Sequence, residues 1–436
     1  MNTMKVVAFL PAKGTSGRIP NKNIQLLDGK PLFLHTLEKL IECEFIDEVY
    51  LDTDSENIIE LASEVPCKIM RRDPDYASNK TDGHQLFMNE VGFVEADIYI
   101  QILGTSPFIE AETISKGLDI LKSEANNFDS VVLVRRDKQY LWTGNIPSYN
   151  AQHIPNSIDL PDTIIETMGL YIVKREAALQ TNRRIGNHPY LLEASPLEAI
   201  DVNWPEDFAL ASLVASGIRE KDRKLLSNLK NHISSSMLSD VLDDMGYPCQ
   251  IIKILKPSIM NAKFLGRSKT IKLRVLRDGE DFRGIYNALE TYNSVIPNDV
   301  IVVENEASDF AYFGELNANL ALRAGASAAV IGGKTRDTSE VTRIGFPVFS
   351  TGSSCQDVRT RATFESFNKA IQIDNVKISP GDLIFGDVEG VVVIPKRLEA
   401  KVIEEIFLRT STEKNILVDI SKGIDVGSIV KDHGTF

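Results

Sequence analysis

Cysteine, histidine, positive charge and long apolar runs are all scarce in this chain, and each scarcity excludes something. Its four cysteines, Cys43, Cys67, Cys249 and Cys355, are scattered over 436 residues. They form no Cys-x-x-Cys pair and no disulfide framework, so free thiols in a reducing cytosol are expected. None of the six histidines is paired at a ligand spacing, which argues against a histidine-based zinc site. No Gly-x-Ser-x-Gly elbow supports a hydrolase. No apolar run approaches the roughly 20 residues of a membrane span. Met1–Lys5 leads straight into a strand-like run and lacks a signal-peptide pattern. A cytoplasmic protein with no membrane partner is expected. Lys and Arg number 48 against 61 Asp and Glu, a net charge of -13. Such a chain is a poor general binder of nucleic acid or anionic lipid. It can still hold anions locally, through glycine loops, arginines and metal ions.

What is present reads as ordinary globular protein. Apolar residues make up 43% and charged residues 25%, and the length suits two or three domains, each with its own core. The first half alternates strand and helix signals. Val6–Leu10, Glu48–Asp52, Ile98–Leu103 and Ser130–Val134 are strand-like. Leu32–Ile41 has helical apolar spacing, and Ser55 is placed to cap the next helix. Strands separated by helices predict a mainly parallel α/β sheet with ligands beyond the C-terminal strand ends. The pattern closes with a helix at Trp204–Val214. The charged run Arg219–Lys224 then places a boundary at about 224, giving domains 1–224 and 225–436. The second half opens with an amphipathic helix from Ser234 to Gly246, capped by serine and ended by glycine. Strands follow at Val300–Val303, Ala328–Ile331, Leu383–Phe385 and Val391–Ile394, with helices at Leu316–Ala324 and after Lys396.

Two glycine-containing stretches invite a phosphate-binding reading. Ala329-Val-Ile-Gly-Gly-Lys-Thr-Arg-Asp337 contains Gly-Lys-Thr, but Walker A needs glycine at position 328, which is alanine. It also needs a loop where Ala329–Ile331 complete a strand, so the stretch reads as a strand end and a glycine turn. Pro11-Ala-Lys-Gly-Thr-Ser-Gly-Arg-Ile-Pro-Asn-Lys-Asn23 is the stronger candidate. It follows the first strand, its backbone N–H groups can face phosphate oxygens, and Lys13, Arg18 and Lys22 supply charge. It matches neither Walker A nor the dinucleotide fingerprint.

This loop resembles that of the sugar-acid cytidylyltransferases, the CMP-sialic acid and CMP-Kdo synthetases. Leu103-Gly-Thr-Ser-Pro-Phe108, Met168-Gly-Leu-Tyr-Ile172 and Ala199-Ile-Asp-Val-Asn-Trp-Pro-Glu-Asp207 resemble three further motifs of that family, in order. The resemblance covers residues 4 to about 218. It implies a Rossmann-like nucleotidyltransferase domain that transfers CMP from CTP to a 2-keto-3-deoxy sugar acid and releases pyrophosphate. Lys13, Arg18 and Lys22 would hold the triphosphate during catalysis. Ala12, Gly14, Asn23 and Arg72 would bind the nucleotide, the last two at the cytosine. Thr105 and Ser106 would face the acid, and Asp201 would hold Mg²⁺. Several positions depart from the family. Lys13 replaces an arginine and loses its bidentate fork. Gly17 stands where lysine is common, and Asn203 replaces an aspartate, removing an anionic metal ligand. Leu103 and Ile109 replace a glutamine and an arginine near the acid pocket, which leaves the acceptor open.

In the second half, Gly314-Glu-Leu-Asn317 precedes an alanine-rich helix, Gly325, a strand and Arg336-Asp337, with Pro380–Pro395 further on. These features resemble the RraA-like family, which includes the divalent-metal 4-hydroxy-4-methyl-2-oxoglutarate aldolases, over about residues 228 to 412. Glu315 and Arg336-Asp337 keep that family's spacing of an acidic residue, twenty residues, then Arg-Asp. The resemblance implies an RraA-like α/β domain with aldolase or decarboxylase chemistry on pyruvate or a related 2-oxo acid. Asp337 would hold Mg²⁺ or Mn²⁺, Arg336 would bind substrate and neutralise the oxygen that gains charge, and Glu315 would act as base through a water. Backbone N–H groups of Glu315, Leu316 and Asn317 would bind a carboxylate. Sialic acid and Kdo are themselves 3-deoxy-4-hydroxy-2-oxo acids, so one acid can serve both halves. In a second reading the first half charges a phosphonate or another acid, and the RraA-like half is a non-catalytic protein-binding or oligomerisation module. Resemblance also implies a homo-oligomer: a dimer, trimer or hexamer.

Overall fold

The computed structural model describes residues 4–78, 80–123 and 125–433, so the first three residues of the N-terminal reading lie outside it. The chain forms two compact α/β units, Met1–Gly217 and Ile218–Phe436. The division falls inside the helix Pro205–Lys230. The charged run 219–224 is therefore helical, and Arg223 pairs with Glu220 one turn back (2.7 Å).

The first unit is built on seven strands: β1 (Val6–Pro11), β2 (Glu48–Thr53), β3 (Lys68–Arg71), β4 (Ile98–Ile102), β5 (Ser130–Asp137), β6 (Thr163–Lys174) and β7 (Pro189–Glu193). Their order is β7-β5-β6-β4-β1-β2-β3. Only β6 runs antiparallel to its neighbours. Strand alternation sends Ala8, Leu10, Ile100 and Leu51 to one face, against Phe33 and Leu37. Val7, Phe9, Tyr99 and Tyr171 go to the other, against Phe87. From β1 the chain crosses to β2 on one side, while β4 lies on the other. The loops after β1 and β4 therefore open together at a topological switch point.

The second unit holds β8 (Ile251–Ile252), β9 (Lys256–Pro257), β10 (Phe264–Val275), β11 (Asp299–Asn305), β12 (Ala328–Thr335), β13 (Val348–Ser353), β14 (Ala362–Phe367), β15 (Leu383–Gly386) and β16 (Val391–Ile394). Their order is β8-β16-β15-β10-β11-β12-β13-β9, with β14 also paired to β10. Strands β10 to β13 are parallel. Strand β12 continues through Gly332-Gly333-Lys334-Thr335, where a turn was expected, with a register shift between Ile331 and Lys334. A Cβ on Gly333 would lie 3.0 Å from Ser308 O, so glycine lets this strand pass close to a neighbouring backbone. A paired strand cannot wrap a phosphate, and the P-loop reading falls on geometry as well as on pattern. The helix Ser235–Asp244 is capped as its sequence predicts, Ser234 Oγ accepting the Met237 N–H (3.1 Å). No helix among the described residues is long and apolar enough to cross a membrane.

Candidate functional sites

The N-terminal site begins where β1 ends. The buried Ala12 donates its N–H to Asp52 O (2.8 Å) and Gly14 donates its own to Asp54 Oδ1 (2.8 Å). A Cβ on Gly14 would lie 2.8 Å from Ser55 Cβ. The loop is thus pressed onto the end of β2, and the Gly14 N–H expected at the nucleotide is used inside the protein. Asn21, at φ 52°, turns the chain into a short 3₁₀ helix, Lys22–Ile24, that buries Lys22 and Asn23. Lys22 Nζ donates to Val202 O (2.7 Å), and Asn23 Nδ2 donates to the carbonyl of the half-buried Lys13 (2.8 Å). Burial lowers the Lys22 pKa, the charge of Asp201 opposes that shift, and Arg18 adds to it. Lys22, Arg18 and Asp201 therefore share one site. Arg18 is exposed, with its guanidinium 5.4 Å from the centre of the Trp204 ring.

The loop after β4 forms the second wall. Val202 N–H donates to Thr105 O (2.9 Å), and Leu103 N–H donates to Gly169 O (3.0 Å). These bonds lace three distant motifs together. Ser106 is buried and its Oγ donates to Asp201 Oδ1 (3.5 Å), while Asn203 Nδ2 donates to Asp201 Oδ2. A Cβ on Gly169 would lie 2.7 Å from Ser106 Oγ, so glycine is required by close approach. Ile109 is fully buried in the core.

Arg72 is tied into the end of β2. Its Nε and Nη2 donate to the two carboxylate oxygens of Asp52 (2.9 and 2.8 Å), and Nη2 also reaches Asp52 O (3.0 Å). The two side chains are 3% and 0% exposed. The guanidinium is thus held by a buried carboxylate. Beside the pair lies the buried Glu90, whose carboxyl is pushed well above its ordinary range by burial and by the Asp52 charge. Gln101 Nε2 donates to it (2.6 Å). Sequence reading missed Asp52 and Gln101, yet each is a polar residue inside an apolar strand, and that was the available signal.

The C-terminal site forms where β12 ends and the helix Glu315–Ala324 begins. Thr335 Oγ1 and Arg336 N–H both donate to Phe313 O (2.6 and 2.9 Å). This clamps Gly314-Glu315 beside Arg336-Asp337. Asp337 sits at φ 52°. Its Oδ2 accepts the Glu315 N–H (3.2 Å) and lies 3.5 Å from Arg336 Nε. A Cβ on Gly314 would fall 2.5 Å from that same oxygen. Arg336 Nη1 also pairs with Asp357 (2.6 Å), a loop residue that no motif marked. Of the three N–H groups expected at a carboxylate, that of Glu315 is taken by Asp337. The Asn317 side chain is buried and donates to Tyr312 O (2.8 Å), fixing the helix start, while Leu316 is exposed.

Among the described residues, no three His, Cys, Asp or Glu side chains converge on one point. Asp201 and Asp337 each offer a single carboxylate, the latter beside the gap left by Gly314. That donor set fits a hard, oxygen-seeking ion that keeps several waters and takes other ligands from substrate. It does not fit an ion that needs an all-protein cage.

Residues 7–197 match the family model described as Cytidylyltransferase, and residues 235–393 match the one described as Aldolase/RraA. The chain joins a cytidylyltransferase-family domain to an RraA-like domain. It is 32% identical over 212 residues to Protein DlpA of Legionella pneumophila, a match that covers 48% of this chain and only 34% of that protein. It is 28% identical over 221 residues to the CMP-N,N'-diacetyllegionaminic acid synthase of the same species, covering 48% of this chain and 94% of that one. A third relative, named "Putative 4-hydroxy-4-methyl-2-oxoglutarate aldolase" in Halalkalibacterium halodurans, is 28% identical over 174 residues. That match covers 40% of this chain and 78% of the relative.

Proposed function

We propose that the cytidylyltransferase domain transfers CMP from CTP to a 2-keto-3-deoxy sugar acid. The acceptor's anomeric oxygen bonds to the α-phosphorus, the bond from that phosphorus to the bridging oxygen breaks, and pyrophosphate leaves. The hydroxyl proton passes to solvent. One observation carries the reading: the buried Lys22 ammonium, held by Val202 O, shares a site with the Asp201 carboxylate and Arg18. A cation already fixed in place needs no reorganisation as charge grows on the leaving group. Lys13 and Arg18 add charge along the triphosphate, and Asn23 holds the loop in shape. Asp201 would hold Mg²⁺, which supplies further neutralisation of phosphate oxygens when bound. The match to nearly the whole length of a CMP-acid synthase supports a CMP-acid product.

For the RraA-like domain we infer carbon–carbon bond cleavage or formation on a 2-oxo acid. Asp337 would hold Mg²⁺ or Mn²⁺, which supplies Lewis acidity at the 2-oxo group when bound. Arg336, oriented by Asp357, faces the oxygen that gains charge, and Glu315 moves a proton through water. The acid activated in one domain is then made or broken in the other. The test is an NMR assay with CTP, Mg²⁺ and a panel of 3-deoxy-2-ulosonic acids, following pyrophosphate and pyruvate together. Both products from one acid are expected. Pyrophosphate without pyruvate would remove the shared acid, and no pyrophosphate from any acid would remove the acceptor class.

A further inference from the structure

We propose that Arg184 is an anion-binding residue on the acceptor side of the N-terminal site, where its guanidinium receives the carboxylate of the acid. The proposal rests on the cytidylyltransferase reading and deepens it. Arg184 is only 7% exposed, yet no carboxylate among the described residues lies within ion-pair distance of it. Its Nη1 reaches a neutral amide, Gln101 Oε1, at 3.3 Å, and its Nη2 a thioether, Met168 Sδ, at 3.7 Å. Its Nε is buried and has no partner. Arg72, in the same domain, shows the contrast, with three bonds of 2.8–3.0 Å to a single aspartate. A buried guanidinium without an anion is costly, and a protein that keeps one gains when an anion arrives.

Position points to the acid as that anion. The guanidinium carbon lies over the Tyr171 ring, 4.0 Å from its centre. The Tyr171 hydroxyl donates to Glu166 and to Met168 Sδ (3.3 Å), and feels the charge of Arg184 first and that of Asp201 least. Met168, over the guanidinium, has the positive φ of 62° that a side chain rarely adopts, and it is 43% exposed. It precedes Gly169, which packs on Ser106 beside Asp201. The segment 139–173, which carries this wall, contains no Lys or Arg, so no cation of its own can read the acid. The cradle is also shaped for an arginine: a Cβ on Gly83 would fall 2.6 Å from Nη1. A carboxylate replacing the Met168 thioether would convert a weak contact into a charge-assisted pair.

The test uses the full chain and compares the acid with its carboxamide as acceptor. Arg184→Met is expected to raise KM for the acid on the order of 30-fold, the worth of one charge-assisted contact, and to leave KM for CTP unchanged. Arg184→Lys, which keeps the charge, should recover part of that loss. Wild type should favour the acid over the carboxamide, and Arg184→Met should not. Equal weakening of CTP and acid, or undiminished discrimination between acid and carboxamide, would overturn the assignment. A wild-type protein that binds CTP but releases no pyrophosphate with any acid would overturn the activity and this assignment together. Pyrophosphate release with intact discrimination in Arg184→Met would overturn the assignment alone.

Discussion

Arg72→Met separates a structural arginine from a nucleotide ligand. In the folded domain the Arg72 guanidinium makes three hydrogen bonds to Asp52, and both side chains are almost wholly out of water. Removing the cation leaves the Asp52 carboxylate buried against Glu90, itself a fully buried acid. Breaking a buried pair from one side costs about 3–5 kcal/mol. For a domain of this size, each kcal/mol moves Tm by roughly 2–4 °C, so a fall of roughly 6–20 °C is expected. Scanning calorimetry on the full chain would read it in the transition of the N-terminal domain. Adding Asp52→Leu should return most of the loss, because an apolar pair of similar volume removes the stranded charge. A nucleotide ligand would behave in the opposite way, with Tm unchanged and KM for CTP raised. A loss below about 1 kcal/mol, or a double variant no better than the single, would refute the argument.

Acid and base should act on this domain from opposite sides. Glu90 has a raised pKa, so its contribution is present at low pH and is lost as pH climbs from the unfolded carboxyl value, about 4.3, toward the raised one. His35 is lowered by burial from 6.5 to about 4, so stability is lost as pH falls from 6.5 toward 4. Urea titrations across pH should show Glu90→Gln flattening the alkaline slope and His35→Gln the acidic one; unchanged slopes would remove these assignments. Asn203→Asp places a second carboxylate beside Asp201. The Mg²⁺ concentration for half-maximal pyrophosphate release should fall about ten-fold, and a rise would argue against Asp201 as the metal position. Gly314→Ala drives a Cβ to within 2.5 Å of Asp337 Oδ2. Pyruvate formation should fall about 100-fold while pyrophosphate release and Tm hold, and unaltered pyruvate formation would exclude the Arg336-Asp337 site.

Local signals carried far in this chain. Apolar periodicity placed four strands of each sheet, β1, β2, β4 and β5 in the first and β11, β12, β15 and β16 in the second, because alternation and burial are set within a few residues. Ser55 and Ser234 cap helices as read, since a cap needs only an oxygen and an N–H two or three residues on. The missing glycine at position 328 sufficed to reject a P-loop. That the run 219–224 is helical was hidden, because charge runs mark solvent exposure, which a helix face and a linker share. The extension of β12 through two glycines was also hidden, since what favours it is the approach of Ser308 from a separate segment. Residue identity placed Lys22 and Asp201 on a list. Only the fold brought Lys22 onto Val202 across 180 residues, turned Arg72 to Asp52, gave Arg336 to Asp357 and left Arg184 without an anion. Charges choose partners by distance and by loss of water, and neither quantity is written in the spacing of residues along a chain.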